Sequence, residues 1–159
     1  MSPEHTITKK KLVSTLDAVC STPEDLASVC VWLKDVHSKT GKTVILMDGD
    51  LGAGKTELVK QYLLHNNFTD VMSPTFSIIN RYEVKNHEPI IHIDLYRTES
   101  EQEVESSGFW DLFLDESAAL IFVEWASRLN SAQMNQQWNV VRLNITRNQD
   151  SSRRIHAHT

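Results

Sequence analysis

Several features are scarce in this chain, and each scarcity closes a class of function. Cysteine occurs only at Cys20 and Cys30. Two such isolated residues suit neither a disulfide framework nor a metal cluster, so both read as core or surface thiols of a reducing compartment. Glycine and proline number five and four, which excludes collagen-like and low-complexity sequence. No run of about 18 apolar residues occurs, and the polar, basic opening from Met1 to Lys11 lacks the apolar stretch of a signal peptide. Neither a membrane nor export is therefore expected, and the chain reads as cytoplasmic. The seven histidines form no HExxH or comparable spacing, so zinc is not expected. Positive charge is in deficit as well, with a formal net charge of -5. Proteins that hold a polyanion unaided concentrate Lys and Arg on one surface, so direct binding of RNA or DNA is disfavoured. The short basic stretches, Lys9 to Lys11 and Ser151-Ser152-Arg153-Arg154, read as solvated ends.

What remains is the composition of a globular protein: 159 residues, 40% of them hydrophobic, enough for one domain with a buried core. Thr22-Pro23-Glu24-Asp25 combines a hydroxyl cap, a proline at the first helical position and carboxylates in the first turn. A helix follows on the face of Leu26, Val29, Cys30 and Leu33 and stops at Gly41. Thr43 to Met47 reads as a strand buried on both faces. A second amphipathic helix carries Leu58, Val59, Tyr62 and Leu63 and ends near His65-Asn66-Asn67. Ser77 to Val84 and Ile90 to Leu95 read as a hairpin joined by the polar turn 85–89. Glu99 to Ser106 reads as a helix, and Ala118 to Val123 and Val140 to Ile145 as strands. The expected fold is α/β, a single P-loop NTPase domain with a mostly parallel central sheet and helices on both faces. The domain is expected over residues 1–148, with 149–159 a polar, flexible tail.

Between the buried strand and the helix stands Gly49-Asp50-Leu51-Gly52-Ala53-Gly54-Lys55-Thr56, a complete G-x-x-x-x-G-K-[ST] phosphate loop. The placement matters as much as the letters. A helix amino terminus directs unpaired N–H groups and the positive end of its dipole at an anion. Glycines at 49, 52 and 54 let the backbone turn and approach closely enough for consecutive amides to form one anion-binding nest. Lys55 adds a flexible charge for the β and γ phosphates, and the Thr56 hydroxyl is a Mg²⁺ ligand. The cofactors expected are ATP and Mg²⁺.

Two strand ends carry acids. Ala119 to Trp125 is an apolar run ending in Glu124, placed to hold Mg²⁺ beside the loop. Trp125 either packs over that end or belongs to the core. In His92-Ile93-Asp94-Leu95-Tyr96-Arg97, Asp94 either orients an attacking or metal-bound water, with Arg97 meeting phosphate charge, or pairs with Arg97 or caps a turn. His92 reads as a satisfied structural histidine.

These segments resemble the TsaE family, formerly YjeE, the bacterial ATPases of tRNA threonylcarbamoyladenosine biosynthesis. The resemblance runs from about Gly41 to Arg128. It rests on the phosphate loop, Ser73-Pro74-Thr75-Phe76, His92 to Arg97, and Val123-Glu124-Trp125, in that order, with Gly108 in Glu105-Ser106-Ser107-Gly108-Phe109 fitting the family's connector. It implies an ATPase that is weak alone and acts on protein partners of the tRNA threonylcarbamoylation complex, tRNA being reached only through them. It also implies that Ser73 to Phe76 acts as a switch loop, with Ser73 and Thr75 near the nucleotide. Thr56, Glu124 and Asp94 would serve the metal, and Asp94 would be needed for hydrolysis. The chain departs from the family at Ala126-Ser127-Arg128, where many relatives continue with proline and an acid, and at Glu57, where a second threonine is common.

Two other functions fit a phosphate loop. A metabolite kinase needs an arginine-bearing lid and a substrate pocket, for which no segment stands out. A nucleotide-gated interaction module would use the Ser73 to Phe76 loop as its switch, with hydrolysis incidental.

Overall fold

A computed structural model of the protein describes residues 13–68, 77–83, 85–130, 134 and 137–159. Thr15–Cys20 forms β1, turning Leu16, Ala18 and Cys20 inward between outward Thr15, Asp17 and Val19. The start expected at Thr22 is a 3-10 turn, Pro23–Leu26, that runs into α1 (Ala27–Thr40). Its carboxylate caps backbone groups: Asp25 Oδ2 accepts from the Ser21 and Thr22 amides at 2.8 and 2.9 Å. Gly41, at φ 78°, ends α1 in a conformation that a Cβ disfavours. β2 (Thr43–Gly49) enters the glycine loop and α2 (Lys55–His65) leaves it. There follow β3 (Ile79–Tyr82), β4 (Ile90–Asp94), α3 (Glu101–Ser106), β5 (Leu120–Glu124), β6 (Asn139–Arg147) and β7 (Arg153–His158).

The strands form one sheet in the order β1-β7-β6-β2-β5-β4-β3. Its centre, β6-β2-β5-β4, is parallel, and antiparallel strands extend it at both edges. Parallel strands covered on both sides need apolar residues at every position, and β2 and β5 comply: Val44 to Met47 and Leu120 to Val123 are all buried. One core lies under α1 and α2, built on Leu33, Leu58, Leu63 and Phe122. The other lies beneath α3 and the 3-10 turn Trp110–Phe113, built on Ile91, Ile93, Phe109 and Phe113. Tyr62 of α2 meets Phe122 of β5 edge to face, ring centroids 5.0 Å apart. That contact ties the helix that starts with Lys55 and Thr56 to the strand that ends in Glu124.

The expected hairpin of β3 and β4 is antiparallel in the structure. The flexible tail over 149–159 is a correction: Arg153–His158 is β7, an interior strand paired on both sides, to β6 and to β1. Only Ile155 and Ala157 turn into the core, so the segment has little apolar character of its own. Its order comes from two neighbouring ladders that no local pattern reveals. β1, the edge strand beside it, pairs with β7 alone. Among the described residues no helix is long and apolar enough to cross a membrane.

Candidate nucleotide and metal site

The carboxyl ends of β2, β5 and β4 converge, and each delivers one part of the site. β2 ends at Gly49, which passes so close to β6 that a Cβ there would stand 2.4 Å from the Ile145 carbonyl oxygen. Only glycine fits. The loop closes on itself through the Ala53 amide, 3.0 Å from the Asp50 carbonyl, and Gly54 enters α2 at φ 115°, ψ 19°. Among the described residues the amides of Gly52, Gly54, Lys55 and Thr56 donate to no carbonyl outside the helix. These donors form a nest that phosphate oxygens fit.

Lys55 is 4% exposed and its Nζ folds back over the loop, donating to the carbonyls of Gly49 at 2.6 Å and Asp50 at 3.0 Å. The ammonium also stands 4.1 Å from the ring centroid of Trp125. Burial lowers the Lys55 pKa, opposed by the nearby carboxylates of Glu124, Asp94, Asp48 and Asp50. Thr56 Oγ1 donates to Glu124, 2.8 Å from Oε1 and 3.0 Å from Oε2. Asp94, opposite Glu124 in the β4–β5 register, accepts the Tyr96 amide at 2.9 Å.

The acids and the hydroxyl are hard oxygen donors. Among the described residues no three His, Cys, Asp or Glu side chains are grouped to hold a metal alone. Mg²⁺ suits such a place, because it is held by one or two carboxylates together with phosphate oxygens and water. Thr56 and Glu124, already in contact, fit that role, and Asp94 is their neighbour.

Of the two readings of Trp125, the structure selects packing over the strand end. Its backbone is left-handed, φ 59°, ψ 43°, and its ring lies against Tyr96, centroids 5.0 Å apart, as well as under Lys55. Ser73 and Thr75 lie outside the described residues. Leu51 is 71% exposed, so its side chain leaves the loop for solvent. Ala53 is buried in the helical core.

Three residues join the site without having been singled out for it. His92 lies 2.7 Å from Glu124 through Nε2; the only hint in sequence was its position two residues before Asp94. Arg128 donates through Nη1 to the carbonyls of Leu95, Tyr96 and Thr98, tying the turn after β5 to the loop after β4. Arg153, assigned to a solvated end, donates from β7 to the Ala53 carbonyl of the phosphate loop at 2.9 Å. Beside that contact a cavity of ≈ 190 Å³ opens between Cys20, Thr22, Gly54, Glu57 and Arg153.

A family model described as "Threonylcarbamoyl adenosine biosynthesis protein TsaE" matches residues 20–155. The tRNA threonylcarbamoyladenosine biosynthesis protein TsaE of Bacillus subtilis is 35% identical over 137 residues, 84% of this chain and 78% of its own. Its namesake in Rickettsia felis is 38% identical over 87 residues, 52% of this chain and 47% of its own. That of Nostoc is 39% identical over 94 residues, 57% and 56% of the two chains. The chain thus spans about half the length of several of the curated relatives it matches. The crystal structure of Bacillus subtilis YdiB shares the fold, with a TM-score of 0.61 over 94% of this chain and 88% of that chain at 24% identity.

Proposed function

The chain belongs to the TsaE family, and from that premise we propose that it is a weak cytoplasmic ATPase acting on protein partners in the threonylcarbamoylation of tRNA. One observation carries the reading: the amides of Gly52, Gly54, Lys55 and Thr56, which among the described residues donate to no carbonyl outside the helix, flanked by the Lys55 ammonium and by a hydroxyl held on Glu124. This combination is suited to a triphosphate with its cation, whereas a structural turn needs neither the lysine nor the acid. The ≈ 190 Å³ cavity beside Gly54 gives room for a nucleoside.

In this reading the nest and Lys55 hold the phosphates. Lys55 exchanges its two carbonyl partners for phosphate oxygens, a move its unbranched stem allows. Thr56 and Glu124 would hold Mg²⁺, which would supply positive charge to offset that of the phosphates. Asp94 orients the attacking water. With a net charge of -5, contact with tRNA falls to the partners.

Calorimetry tests the binding step. ATP with Mg²⁺ should bind the wild type, and Lys55→Ala should abolish the heat; equal binding by both defeats the reading. Asp94→Ala should keep the wild-type affinity and lose turnover, measured as phosphate release with the partner proteins present. Wild-type turnover in that variant removes Asp94 from the chemistry. Should phosphate release be irrelevant to tRNA modification while nucleotide still governs co-elution with the partners, the chain is a nucleotide-gated module.

A further inference from the structure

A buried imidazole touches the proposed metal carboxylate from behind. His92 is the middle residue of β4, between Ile91 and Ile93, both fully buried, and is itself 2% exposed. Glu124, at the end of β5, is 2% exposed. Nε2 of His92 lies 2.7 Å from Glu124 Oε1. A carboxylate offers only acceptors, so the ring nitrogen carries the proton and donates. Thr56 reaches the same carboxylate from the side of the phosphate loop. Glu124 is therefore held from two directions, by a group on β4 and by a group on α2.

The geometry points to His92 as a positioning residue for the metal site. Among the described residues the His92 side chain has its hydrogen bond to Glu124 and none to the phosphate loop or Lys55, and an apolar side chain would suit its place between two isoleucines. A donor there acts through Glu124 alone. By fixing the carboxylate plane, it keeps one oxygen in place to accept the Thr56 hydroxyl proton. With its proton given to Glu124, the hydroxyl oxygen would keep its lone pairs for a cation. Without the donor the carboxylate is free to rotate about its last bond, and Thr56 loses a fixed acceptor. Groups behind metal ligands typically alter metal affinity by roughly 10- to 100-fold.

This inference rests on the nucleotide-binding reading, and its test separates the two. ATP affinity is measured by calorimetry with Mg²⁺ and again in EDTA, for wild type, His92→Phe and His92→Gln, with thermal melts confirming folding. His92→Phe removes the donor; its Mg²⁺-dependent gain in affinity should fall about tenfold or more while the affinity in EDTA stays near wild type. His92→Gln sets an amide nitrogen near the Nε2 position and should recover most of the gain. A merely structural histidine would weaken both affinities together or neither. An undiminished Mg²⁺ gain in folded His92→Phe overturns the inference and leaves the nucleotide reading standing, whereas a wild type that binds no ATP overturns both. Should His92→Phe not fold, His92→Asn, whose amide ends where Nδ1 stands, takes its place. In the wild type itself, the ring Nε2–H proton resonance should move when Mg²⁺ is added to nucleotide-loaded protein; a resonance that stays still also overturns the assignment.

Discussion

Lys55 illustrates how function and stability pull apart at one residue. Burial opposes its charge, and four carboxylates only partly compensate. Because its folded pKa lies below the unfolded value, the charge is a cost at neutral pH that is relieved as pH rises through the folded pKa toward the unfolded one. Lys55→Met, apolar and of similar length, should therefore melt no lower than wild type at pH 7 while binding no ATP, read by calorimetry on the same sample. A large loss of stability would mean that its bonds to Gly49 and Asp50 outweigh the desolvation. Cys30 gives the opposite sign. Burial pushes its thiol up to about 12, so the stability of the buried neutral form is present below the unfolded thiol pKa. It is lost as pH rises from there toward about 12. Cys30→Ala should flatten the alkaline limb of the stability curve, and Cys30 should resist iodoacetamide at pH 8 until the protein is unfolded. Rapid alkylation of the folded protein would contradict its burial.

At the scale of elements, α2 and β5 determine whether the site exists. Leu58 and Tyr62 are buried against the sheet, on the same helix as the Thr56 hydroxyl that meets Glu124 and two and six residues beyond it. Tyr62→Ala removes a ring seated on Phe122 and should cost about 3–5 kcal/mol in a denaturant titration. Loss of that seat should also weaken Mg²⁺-dependent nucleotide binding, although Tyr62 touches neither ligand. Tyr62→Phe, which keeps the ring, should bind as wild type does; weakened binding there would detach the site from this packing. The 3-10 turn before α1 is capped by Asp25, and Asp25→Ala should lower the melting temperature slightly, read in a thermal melt.

For the molecule as a whole, the sheet is closed by its last strand. β7 lies between β6 and β1, and its Arg153 reaches across to the phosphate loop. Ending the chain after Asn148 leaves β1 without its ladder and the edge of β6 open. That truncated protein should lose cooperative melting and self-associate, seen by circular dichroism and gel filtration. A monomer with a wild-type melt would show β7 to be dispensable. The converging strand ends form a crevice of the kind in which open α/β sheets hold ligands. Its three acids come from three separate stretches of chain: Asp48, Asp94 and Glu124.

The candidate phosphate loop was legible in linear order because the residues that form it are consecutive. Eight consecutive residues form the candidate loop, and the strand before and helix after announce themselves through uninterrupted and helical apolar periodicity. Glu124 and Asp94 were legible for a related reason, each closing a buried strand. What the letters did not carry were relations across the sheet. His92 looked like a core residue because its partner is 32 positions away on a neighbouring strand. Arg153 looked like part of a solvated end because its acceptor lies 100 positions earlier. β7 has only Ile155 and Ala157 as apolar side chains and becomes a strand by sharing hydrogen bonds with β6 and β1. Local sequence determined what the site is made of; the pairing of distant strands decided which groups stand behind it, since hydrogen-bond partners across a ladder follow from register and not from nearness in the chain.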